Sequence, residues 1–147
     1  MRRCSATPLM TAGVIIFAMT LFAQQSSAAD LRITDSTGLE VLVTGASIDY
    51  SGVIGSDREA EGIRVYQGEA TVTAKWADIT SVTVTGRDGT ANPPRLTLEI
   101  VLTNGKTVMA GLVRKGRMVV SGKSDLGAYS IDLEKIKRIV PVRSRGQ

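Results

Sequence analysis

Leu96, Leu98, Ile100 and Leu102 alternate with Thr97, Glu99 and Val101, a period of two that puts four aliphatic side chains on one face of a strand. Asn104-Gly105 follows, and residues 106–112 resume the apolar run. Asn-Gly between two such runs predicts a hairpin closed by a type I′ turn, which needs positive φ at both central residues. Shorter runs of Val, Ile, Thr and Leu predict strands over residues 39–44, 63–66, 70–76, 81–85, 117–121, 129–133 and 137–142. The polar stretch 56–62 predicts a loop with one helical turn, because Ser56 and Glu59 have capping-box spacing. Asn92-Pro93-Pro94 breaks the pattern near the middle of the chain.

Apolar positions recur at an offset of 57 residues. Trp76, Ile79 and Val82 in residues 73–82 match Leu133, Ile136 and Ile139 in residues 130–139. The second copy alone fits a short amphipathic helix, but Thr80-Ser81-Val82-Thr83-Val84 in the first is β-branched and a poor helix former. Both copies therefore read as strand, one tight turn, strand, with Trp76 as a core residue at the corner. Such a corner lets a sheet bend over itself. It resembles, in a general way, the corner of SH3-like small barrels. The predicted fold is all-β, a small barrel or sandwich of seven to nine short antiparallel strands behind an N-terminal signal helix. Two duplicated halves, 30–91 and 92–147, would make it up.

The first 29 residues follow a different logic. Arg2 and Arg3 precede a mostly apolar run, Thr11 to Ala23, and Ser27-Ala28-Ala29 supplies small residues at a cleavage position. The run is shorter than the ~20 residues of a spanning helix, so a cleaved export signal is expected, with an uncleaved anchor as the alternative. Cys4 precedes the apolar run, whereas a lipoprotein cysteine follows it. Cleavage after Ala29 leaves 118 residues, a single β-domain over 30–147 in the periplasm or outside the cell, with no transmembrane segment.

Composition narrows the chemistry. The chain has no histidine, and its one cysteine leaves with the signal, which excludes Ser-His-Asp and Cys-His catalysis and the usual zinc sites. No metal or cofactor is predicted. Asp57, Glu59 and Glu61 crowd one loop but match no calcium motif, and read as a solvated turn. Gly105-Lys106-Thr107 lacks the rest of a phosphate loop, and Asp35-Ser36-Thr37-Gly38 has one residue too many for an aspartic protease turn. Too few aromatics remain for a lipid-facing barrel or for stacking nucleic-acid bases.

Charge is uneven along the sequence. Residues 30–91 carry five basic and ten acidic side chains, and residues 92–147 carry eleven and four. The split can mark a polyanion-binding surface or patches that pair between copies; the plain alternative is two solvated faces. Arg114, Lys115, Arg117, Lys135, Lys137, Arg138, Arg143 and Arg145 are the candidate binding residues. The expected function is an exported, non-catalytic β-module of the bacterial cell envelope that acts by binding or assembly. Its partners would be an acidic protein, an anionic lipid, a cell-wall polymer or a second copy. Docking to anionic lipid or polymer through the C-terminal basic residues is one alternative. An envelope hydrolase using carboxylates is another.

Overall fold

The protein is described by a computed structural model covering residues 28–50, 57–92, 94–113 and 116–143. The signal segment up to residue 27, together with Arg114, Lys115 and Arg145, lies outside the described residues. The chain is all-β, an antiparallel sheet of ten strands curled into a half-barrel. The strands are β1 (Ala29–Asp35), β2 (Glu40–Asp49), β4 (Gly62–Gln67), β5 (Ala70–Lys75), β6 (Ile79–Asp88), β7 (Arg95–Leu102), β8 (Thr107–Leu112), β9 (Val119–Ser124), β10 (Gly127–Asp132) and β11 (Ile136–Val142). A two-residue β3 (Arg58–Glu59) pairs with β2 beside this path. The spatial order is β10-β9-β2-β1-β11-β6-β7-β8-β4-β5.

This order resolves into two five-strand units, β6-β7-β8-β4-β5 and β11-β1-β2-β9-β10, that carry the same hydrogen bonds. The Trp76 amide donates to the Glu61 carbonyl (2.8 Å), and 57 residues later the Leu133 amide donates to Met118 (3.0 Å). The Ser36 amide donates to Lys135 (2.8 Å), as Thr103 does to Asp78 (2.9 Å). That second match relates β1–β2 to β7–β8 at an offset of 67. Gly38 and Gly105 close the corresponding hairpins at φ of 90° and 83°. The corner repeat seen in the sequence therefore extends to matching hairpins and strand pairings, each corner being a single 3-10 turn, Trp76–Asp78 and Leu133–Lys135, while β3 has no counterpart in the first unit.

Seven pairs of equivalent side chains form the core: Leu31 and Leu98, Ile33 and Ile100, Val43 and Ala110, Ile63 and Val120, Trp76 and Leu133, Ile79 and Ile136, Val82 and Ile139. All are buried in one continuous cluster, and each of the larger ones contributes about 1.5–3 kcal/mol by leaving water. The units join where β6 pairs antiparallel with β11, Val82 standing opposite Ile139. Those two residues are equivalents, so a pseudo-two-fold axis passes between them.

The pairing corrects several expectations. The unit boundary does not run at residue 92: β4 to β8 form the first unit, while β1 and β2 complete the second. Asn92 and Pro94 lie in the β6–β7 hairpin, not between halves, and Pro93 is outside the described residues. Counting β3, the described residues form eleven strands rather than seven to nine; β1 lies outside the predicted runs, although Leu31 and Ile33 alternate within it. The Asn104-Gly105 hairpin forms, but with a three-residue loop. Gly105 donates to the Leu102 carbonyl (3.0 Å), and no residue other than glycine has positive φ among the described residues. Asn104 thus stays in ordinary backbone space and its Oδ1 accepts from the Lys106 amide (3.0 Å), giving a type I turn with a glycine bulge. Residues 58–59 are extended and pair with β2 instead of forming a helical turn.

Gly62 opens β4 where a Cβ would collide with the Ala74 carbonyl oxygen of β5. Gly62→Ala is expected to cost about 1–3 kcal/mol through forced strand separation. Gly89→Ala, where a Cβ meets open space, should stay within about 0.5 kcal/mol of the native protein. Urea unfolding of the two variants measures the contrast.

Candidate functional site: an apolar groove beside an edge strand

Strand β5 is the outer edge of the first unit and pairs only with β4 among the described residues. Its sequence, ATVTAK, is β-branched at three of six positions and exposed along nearly its whole length. Val72 and Ala74 point to the same side of β5 and line a groove of about 280 Å³ with Val65 of β4, Ile79 of β6 and Ile100 and Leu102 of β7. Most of the lining is apolar, with Gln67, Thr73, Lys75 and Asp78 as its polar members.

The second unit places larger groups at the equivalent positions. Tyr129 stands where the first unit has Val72, and Ile131 where it has Ala74; both pack half-buried against the core. Burial raises the Tyr129 phenol above its ordinary value, and nearby Asp35, the counterpart of Leu102, raises it further. These two positions of the second unit thus carry larger side chains, although Gly122 stands where the first unit has Val65 and Tyr129 lines a groove of its own with Thr44, Arg58 and Ser121. The groove beside β5 is open and more apolar at its rim. Periodicity did not reveal this, because Val72 and Ala74 fit an ordinary strand; aligning the repeat back through residues 127–132 would have exposed the size difference.

The loop carboxylates are structural. Tyr50 is 1% exposed, and its hydroxyl oxygen accepts from the Arg64 amide at 2.7 Å. The Arg64 guanidinium lies over the Tyr50 ring, 4.9 Å from its centroid. It donates to Asp57 at 2.6 Å and approaches Glu59 at 3.5 Å. Its hydrogen bond to Asp57 raises the Arg64 pKa further. Asp57 and Glu59, read from sequence as solvated, instead fasten their loop to β4.

The basic candidates land in several places. Arg117 and Lys135 both reach Asp132, at 2.7 and 3.9 Å, and the hydrogen bond from Arg117 holds the Asp132 carboxyl below its ordinary value. Lys137 and Arg138 are exposed on β11. Arg143 follows β11 and lines a separate groove of about 520 Å³ with Asp30, Glu61, Lys75 and Trp76. The charge split along the sequence also dissolves. Residues 62–112 hold five basic and four acidic side chains, residues 28–49 with 116–143 hold seven of each, and residues 57–61 add one basic and three acidic. Among the described residues no group of three or more acidic, Cys or His side chains converges to hold a metal, and no helix is long and apolar enough to cross a membrane.

Burial pushes the Tyr50 phenol far above its ordinary value of 10.0. Its folded pKa being raised, its contribution is complete below pH 10 and declines as the pH climbs further, when only the unfolded chain ionises. At pH 8, Tyr50→Phe should cost about 1–3 kcal/mol, because the part-buried Arg64 amide loses its acceptor. Between pH 10 and 11.5 that difference should shrink; denaturant titrations of both proteins across the range read it, and a constant difference would contradict the assignment. No protein-family model, curated protein or solved structure matches this chain.

Proposed function

We propose that this chain is an exported, non-catalytic β-module of the bacterial cell envelope that acts by binding or assembly through the β5 edge and its groove. The observation that carries the reading is the asymmetry of the duplication: a groove lies beside Val72 and Ala74 of the edge strand β5, where the second unit has the larger Tyr129 and Ile131. An exposed strand edge offers unpaired backbone groups to an extended segment, and an adjacent apolar groove takes that segment's alternate side chains. The chemistry of Tyr129 and Ile131 indicates the fit, an aromatic or branched aliphatic group at every second position.

Filling the groove tests the site. At about 1 µM protein, near the affinity of a modest apolar contact, the native chain should enhance the fluorescence of 8-anilinonaphthalene-1-sulfonate saturably. Val72→Tyr combined with Ala74→Ile, which copies the second unit, should abolish most of that signal while leaving the unfolding midpoint unchanged or higher. Equal dye binding by the filled variant would overturn the assignment. Export has its own readout: the intact mass of protein recovered from the envelope fraction should correspond to a chain beginning at Asp30.

A further inference from the structure

Residues 69–75 read Glu-Ala-Thr-Val-Thr-Ala-Lys, a palindrome about Val72 with opposite charges at its two ends. The palindrome coincides with β5 and the turn residue before it, and β5 is one of the two outer edges of the sheet among the described residues. We propose that β5 pairs antiparallel with β5 of a second copy of this chain, forming a two-fold dimer; this rests on the reading of β5 as the binding edge and names its occupant.

The register follows from the sequence. In an isologous antiparallel pair centred on Val72, that residue faces its own copy, Thr71 faces the partner's Thr73, and Ala70 faces the partner's Ala74. Glu69 then stands opposite the partner's Lys75 at both ends. Opposite charges at directly paired positions favour the register, and like charges there oppose it. Slipping by two residues loses both charge pairs, so the palindrome specifies one alignment.

Three features of the fold support a second copy as the occupant. Val72 is 39% exposed, high for an aliphatic side chain on the core-facing side of its strand. In the dimer the partner's Val72 packs beside it over the open groove, supplying apolar cover where the second unit has the larger Tyr129. The molecule already contains this geometry, because β6 and β11 meet antiparallel with the equivalent residues Val82 and Ile139 face to face. The other outer edge, β10, is not self-complementary: about Tyr129, Gly127 would face Ile131 and Leu126 would face Asp132, whose carboxylate is already held by Arg117 and Lys135. A two-fold contact closes on itself, so the product is a dimer and not a fibre.

Sedimentation equilibrium of the purified chain from about 5 µM to about 500 µM covers the range of a small strand-to-strand interface. The native protein is expected to double its mass across this range. Lys75→Glu should weaken the dimer about tenfold or more by placing like charges at both ends, and combining it with Glu69→Lys should restore association to within about threefold of native. Val72→Lys, which sets two cations together on the axis, should remain monomeric. Circular dichroism of these surface variants confirms that each is folded. A native chain that stays monomeric, a species larger than a dimer, or a dimer indifferent to Val72→Lys would overturn the proposal. Dye binding by such a monomer would leave the groove reading standing, whereas loss of both would remove the two together.

Discussion

The antiparallel contact between β6 and β11 is the join on which the rest of this structure depends. Its register is short, Val82 opposite Ile139 and Thr83 opposite Arg138, yet it links the two five-strand units into one sheet. Both central side chains are buried, so the join is also the middle of the core. From it the sheet grows outward symmetrically, through β7, β8 and β4 to β5 on one side and through β1, β2 and β9 to β10 on the other. The connectivity is not symmetric. The first unit is a continuous stretch of chain, while the second needs β1 and β2 to meet β9 and β11 across the whole of the first. Closing that long loop costs conformational entropy that only the completed core offsets.

Duplication gives each matched position two versions, and the differences show what each unit was fitted for. The corner residues Lys75 and Asp78 become Asp132 and Lys135, a reversal of sign that leaves the turn unchanged. Trp76 becomes Leu133 and both stay buried. On β5 and β10, however, Val72 and Ala74 give way to Tyr129 and Ile131, and the packing consequence is large. A larger side chain packed against the core covers more of its own unit. A smaller one beside an open groove at an outer edge makes a unit that is complete only with a partner.

Much of this was legible in the chain, and the remainder was hidden for physical reasons. Alternation found the β7–β8 hairpin, because its apolar face is unbroken from Leu96 to Leu102. The offset of 57 found both corners, because Trp76, Ile79 and Val82 keep their spacing in Leu133, Ile136 and Ile139. The second offset, 67, was present as Leu31, Ile33, Gly38 and Val41 against Leu98, Ile100, Gly105 and Val108. It relates the start of the folded region to its middle, so no local pattern carries it. Without it the chain divides at the Asn92-Pro93-Pro94 loop, and the charges divide with it. Pairing across sequence separations of this size leaves no local signal, so the charge split looked like two surfaces when each unit is nearly neutral. The groove was illegible for a similar reason, since its openness lies in a comparison between β5 and β10.

The central claim is that the two outer edges of a symmetric sheet have different roles: β10 is finished and β5 is not. Amide hydrogen exchange resolved strand by strand, at low and at high protein concentration, tests it most directly. The account predicts that β6 and β11 exchange slowest at both concentrations, that β10 is unchanged between them, and that β5 slows as concentration rises. If β5 and β10 exchange alike at both concentrations, the account is contradicted.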